Sequence, residues 1–167
     1  MNKIWMPLAL LLCGAPAAAH VTVSPAAAPA GAYVRLAFGV PHGCRGSATT
    51  EVVLRLPHEA LIGAKPMPKP GWVLTIERKP LERPFELHGR RIADSVAEIR
   101  WRGGPLAHEH YDEFVLAGKL ADAAAGPLRV EVLQTCESGR NDWTGAAGSE
   151  SPAPVLEVQP AAGHRHH

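Results

Sequence analysis

The 167-residue chain has little net charge, few cysteines and methionines, and no long apolar run beyond its first dozen residues. A formal charge of +1 with histidine neutral excludes the basic surface that a general nucleic-acid or membrane-surface role requires. No run approaches the roughly 18 to 20 apolar residues that a membrane-crossing helix needs, so no membrane span is expected in the mature chain. Met67 is isolated, which excludes the thioether cluster that selects soft metal ions. Motifs for a serine or cysteine nucleophile, a phosphate-cradling loop and a dinucleotide fingerprint are missing as well. The expectation is a protein that is not an enzyme.

What is present begins with a leader. Lys3 supplies a positive start, residues 6–12 an apolar core, and Ala17-Ala18-Ala19 a small-residue cleavage site. Residues 1–19 therefore read as a signal peptide, the mature chain begins at His20, and the expected location is periplasmic or secreted. Leu11-Leu12-Cys13-Gly14 offers a competing lipoprotein reading, but Leu12 sits where such sites carry a small residue. With Cys13 in the leader, Cys44 and Cys136 remain, an even pair in an oxidising compartment, and a disulfide between them is expected rather than a thiolate metal site. In the loop-entropy model such a bridge contributes about 4 to 5 kcal/mol.

Period-two apolar patterning recurs in Tyr33-Val34-Arg35-Leu36-Ala37-Phe38, Glu51-Val52-Val53-Leu54-Arg55-Leu56, Val73-Leu74-Thr75-Ile76-Glu77 and Ala97-Glu98-Ile99-Arg100-Trp101. Glycine and proline breaks separate these runs, and further strands are expected at residues 113–119, 128–134 and 155–158. Seven or more short strands without an amphipathic helix predict an all-β, immunoglobulin-like antiparallel β-sandwich over residues 20–160. The alternating prolines of Lys65-Pro66-Met67-Pro68-Lys69-Pro70 predict an extended connection. Residues 161–167 read as a flexible tail containing His164, His166 and His167.

Histidine carries the chemistry. A terminal His20 would present its α-amine and its ring Nδ1 to one ion, closing a six-membered chelate that an internal histidine cannot form. The amine, with an unperturbed pKa of about 7.7 to 8.0, can lose its proton to a strongly binding cation near neutral pH. Amine plus imidazole suits Cu(II), which favours nitrogen-rich tetragonal sites. His20-Val21-Thr22-Val23 reads as the start of a strand, with His20 and Thr22 on one face and both valines on the other. Among the other histidines, His108-Glu109-His110 lacks the spacing of a helical zinc hydrolase and reads as a solvated loop or an accessory metal contact. The tail histidines are candidates for loose metal capture.

Several motifs together resemble the YcnI-like family of exported copper-binding domains, long catalogued as a domain of unknown function. They are Ala19-His20-Val21-Thr22-Val23-Ser24-Pro25, Val40-Pro41-His42-Gly43-Cys44, Lys69-Pro70-Gly71-Trp72, Trp101-Arg102-Gly103-Gly104, Tyr111-Asp112-Glu113-Phe114 and Gln134-Thr135-Cys136 with Trp143. The resemblance spans nearly the whole mature domain. It implies a β-sandwich that holds Cu(II) in a single-histidine brace, with His20 as the brace, Glu113 as an assisting carboxylate and Trp143 as the nearby tryptophan. Asp112 stands beside Glu113, and strand alternation sends the two to opposite faces. Trp143 would cover a coordination face, with a cation–π contribution of roughly 0.5 to 2 kcal/mol. Trp72 and Trp101 are expected in the core.

The reading that follows is an exported Cu(II)-binding protein of copper delivery or homeostasis, with copper as cargo and another copper-trafficking protein as a candidate partner. Two other classes compete. A copper-dependent oxidase or oxygenase would use the same terminal histidine, but no second histidine is placed by the resemblance. A metal-free secreted protein-binding module would use only the sandwich loops.

Overall fold

The computed structural model describes residues 20–161; the leader with Cys13, and His164, His166 and His167, lie outside the described residues. Among the described residues there are twelve strands and no helix: β1 (Thr22–Ser24), β2 (Ala27–Pro29), β3 (Tyr33–Val40), β4 (Thr49–Arg55), β5 (Leu61–Pro66), β6 (Trp72–Leu87), β7 (Arg90–Leu106), β8 (Asp112–Leu120), β9 (Gly126–Arg129), β10 (Glu131–Cys136), β11 (Arg140–Trp143) and β12 (Val155–Gln159).

Two antiparallel sheets form the sandwich, one ordered β1-β3-β8-β5 and the other β11-β10-β4-β7-β6. The alternation read from the sequence explains their packing. In β3, Val34, Leu36, Phe38 and Val40 face inward, and Phe38 sits directly opposite Phe114 of β8. The second sheet answers with Val52, Leu54, Ile99, Trp101 and Val132, all in the same buried cluster. Trp101 is fully buried, meets Phe114 edge-on and donates its Nε1–H to the Met67 carbonyl at 3.1 Å. Trp72 packs against this core from a half-buried position, as expected.

A third sheet, β2-β12-β9, adds Ala28, Leu156 and Val158 to the core. Its β2–β12 pair is parallel, an exception to the antiparallel expectation. The expected strand at residues 128–134 is broken: Val130 donates its amide to the Pro154 carbonyl, so β9 joins the third sheet and β10 the second. The strands are also not all short. β6 and β7 form a hairpin of 16 and 17 residues around a two-residue turn in which His88 and Gly89 both have positive φ. Pro80 and Pro84 do not end β6, because it is an edge strand and its pairing slips between Pro80 and Phe85.

Cys44 and Cys136 are joined as a disulfide. It ties the loop after β3, in one sheet, to the end of β10, in the other.

Candidate metal centre

His20 lies at one end of the sandwich, one residue ahead of the buried Val21 and two ahead of β1. Burial of Val21 fixes where the half-buried His20 emerges. Its ring meets Trp143 edge-on, with centroids 5.8 Å apart and planes inclined by 61°. Trp143 ends β11, opposite Val132 of β10, and is 4% exposed. A buried indole N–H needs an acceptor, and Gln134 provides one: Nε1 donates to Oε1 at 3.1 Å.

Gln134 has no exposed surface, yet every hydrogen-bonding position of its amide is used. Oε1 accepts from Trp143 and from Asn141 at 3.3 Å. Nε2 donates to the His42 carbonyl at 2.7 Å and to Thr49 Oγ1 at 2.8 Å. The amide therefore has one satisfied orientation, and it locks the indole to the loop carrying His42.

That loop brings in a histidine with no assigned role in the sequence reading. The His42 ring stands 6.4 Å from Trp143 and 6.0 Å from His108, centroid to centroid. Its Nδ1–H donates to the Gly43 carbonyl at 2.7 Å. Gly43 in turn donates its amide to the His108 carbonyl, and a Cβ at Gly43 would lie 1.9 Å from the Ser47 carbonyl oxygen and 3.3 Å from His108 Cα. Glycine is required for this close approach. His108 itself is half-buried, and its Nδ1 is a buried polar atom with no hydrogen-bond partner. Glu109 and His110 remain exposed, so the triplet is only partly the solvated loop expected.

Glu113 occupies the outer face of the first sheet, in the cross-strand row Thr22–Gly39–Glu113. At usual strand spacing this puts the Thr22 and Glu113 backbones about 10 Å apart. Tyr111 reaches over Gly39, whose missing Cβ would have met its hydroxyl at 2.7 Å, and donates to Glu113 Oε1 at 3.0 Å. Partial desolvation first, and then this hydrogen bond and the nearby carboxylate charges, hold the Tyr111 phenol above its ordinary pKa. Arg35 lies 3.8 Å from Glu113, an exposed pair of little energetic weight. No hydrogen bond or ion pair joins His20 to Glu113. Asp112 points elsewhere and pairs with Lys69 at 2.6 Å.

The structure thus brings His20 to Trp143, places Glu113 on the neighbouring outer face, and adds His42, His108 and Gln134. Among the described residues, no three His, Cys, Asp or Glu side chains converge closely enough to hold a metal ion by themselves. The described side chains alone therefore do not complete a metal site around His20. His42 was legible only through its place two residues before a bridged cysteine.

The family model for a domain of unknown function, DUF1775, matches residues 20–158. The chain belongs to the DUF1775 family. Copper-binding protein CutI of Bacillus subtilis (strain 168) is 24% identical to this DUF1775 protein over 154 residues, covering 91% of this chain and 68% of CutI. Family and relative together bear out the YcnI-like resemblance drawn from the motifs. An uncharacterized Nocardia farcinica protein, whose crystal structure reveals an immunoglobulin-like fold, matches with a TM-score of 0.63 and 24% identity, covering 86% of this chain and 99% of that one. This second likeness supports the fold alone, in agreement with the expected sandwich class.

Proposed function

We propose that this DUF1775 protein is exported, is cut after Ala19, and holds one Cu(II) through the α-amine and ring of His20. Copper is its cargo, in delivery or homeostasis, and not a catalytic cofactor. The observation that carries this reading is the seat of His20: a half-buried ring at the head of a docked strand, edge-on to an indole fixed by Gln134. The kinship with a protein named for copper binding gives the ion.

The roles follow from elementary chemistry. Amine and imidazole chelate the ion; Glu113, on the outer face two strands across from Thr22, would be the assisting carboxylate and would reduce the site's charge. Trp143 would bound the site on its buried side and limit water.

Electron paramagnetic resonance tests the proposal. Cu(II) added to a chain that starts at His20 should show nitrogen couplings from both an amine and an imidazole, at one ion per chain. A chain with one extra residue before His20 should lose the amine coupling and bind far more weakly. Equal spectra and affinity in the two chains would rule out the brace.

A further inference from the structure

We propose that the hollow between β5 and the β6–β7 hairpin binds an amphipathic anion, an aliphatic chain ending in a carboxylate or phosphate, at a site separate from His20. The site begins with an interrupted edge strand. β5 is the edge of its sheet, and its pairing with β8 shifts between Ile62 and Lys65. Gly63 sits in that irregularity at a φ of 61°, a conformation that strains any residue with a Cβ. Its amide donates to Oγ of the buried Ser95 in β7 at 3.2 Å, so this donor is spent on the hairpin rather than left for an added strand. Apart from its chain neighbours, no atom lies within 4 Å of where a Cβ on Gly63 would stand. The bulge faces open space.

Two adjoining hollows open there, of about 450 and 310 Å³, the size of pockets that hold small molecules. They share Gly63, Lys65 and His88. His88, in the hairpin turn, is hydrogen-bonded through Nε2 to the Tyr33 hydroxyl at 2.8 Å, which ties the tip of the hairpin to the first residue of β3. The larger hollow has an aliphatic floor, made of the buried Ile62 and Ala64 of β5 and the half-buried Ile92 of β7. Such a floor suits an alkyl body, which gains by leaving water.

Charge supplies the other half of the ligand. Lys65, Arg78, Arg90 and Lys119 line the two hollows and no carboxylate does, although the whole chain carries a formal charge of only +1. Asp94 neutralises Arg78, and Asp122 neutralises Lys119. Among the described residues Lys65 and Arg90 pair with no acid, and both are exposed. Long cationic side chains at the rim of an apolar hollow can lay their stems along a bound alkyl chain while their heads meet its anion in water. The ligand's head then avoids the desolvation that a buried ion pair suffers. Tyr33 stands six residues, about 20 Å, from Gly39, the partner of Thr22, so the hollow and the His20 end of β3 are far apart. Occupancy of one site does not require the other.

The test titrates the chain starting at His20 with dodecanoate and with dodecyl phosphate, both below micelle formation, and follows the protein by nuclear magnetic resonance. Either anion should shift the amides of Gly63, Lys65 and Gly118 and the methyl groups of Ile62 and Ile92, while the amides of Val21 and Thr22 stay in place. The tighter of the two names the head group, and either upholds the proposal. Acetate and inorganic phosphate, which lack the chain, and dodecyltrimethylammonium, which carries the opposite charge, should each bind at least about tenfold more weakly. Replacing both cations, Lys65→Gln with Arg90→Gln, should weaken the preferred anion at least about tenfold. Binding of neither anion, shifts confined to other surfaces, equal affinity for the cationic chain, or undiminished affinity in the folded double variant would overturn the proposal. The shift map is read on the unaltered chain and decides the matter should the double variant fail to fold.

Discussion

The Nε1–H of Trp143 is anchored by Gln134 at 3.1 Å, on a side chain that also holds the His42 carbonyl and Thr49. The wall of the candidate centre is therefore set by a buried amide, and not by the residues that would touch an ion. Gln134→Leu should leave the Trp143 N–H, the His42 carbonyl and Thr49 without this partner. A loss of about 2 to 4 kcal/mol is expected from the urea midpoint, together with a red shift of tryptophan emission as the indole loosens.

Copper should report its own position through Trp143. Paramagnetic Cu(II) near His20 is expected to quench most of the emission of that indole, and Trp143→Phe should abolish most of the quenching while Trp72 and Trp101 still emit. Undiminished quenching in the variant would place the ion elsewhere.

Glu113 and Asp112 are adjacent but should behave differently. Glu113→Gln is expected to weaken Cu(II) binding by about tenfold, in the lower part of the range for groups that support a metal site. Asp112→Asn breaks its ion pair with Lys69 and should leave Cu(II) affinity within about twofold, since single surface pairs contribute little. Competition against a chelator of known strength distinguishes the two.

The disulfide should matter to stability and to site geometry together. Replacing Cys44 and Cys136 by serine is expected to cost about 2 to 5 kcal/mol in chemical denaturation. It also frees the loop bearing His42, so the His42–Trp143 contact should weaken, as read from ring-current shifts.

Much of the sandwich was legible because burial writes itself into period-two patterning: Val34, Leu36 and Phe38 in β3, and Ile99 and Trp101 in β7, all fell on the predicted inner face. Pairing over long distances was not. Nothing local in Ala27–Pro29 announces that it runs parallel to β12, and nothing local shows that β6 continues through Pro80 and Pro84, which its edge position permits. At the centre, the residue types and strand setting of His20 and Glu113 were readable. The closeness of His42 to His108 was not, because it arises from a backbone contact at Gly43 across a large sequence separation. Gln134 did leave a trace: it is a polar residue on the inward row Val132, Gln134, Cys136, where an apolar one was due.

β1 is three residues long, and only Val21 separates it from His20. Under the proposed processing the position of the cut decides the chelate: displaced by one bond it would start the chain at Ala19 or Val21, and neither start carries the amine and the imidazole on one histidine. The same shortness favours binding thermodynamically. A chain end pinned within two residues of a hydrogen-bonded strand surrenders its conformational entropy when the protein folds, so little ordering remains for the moment of metal capture.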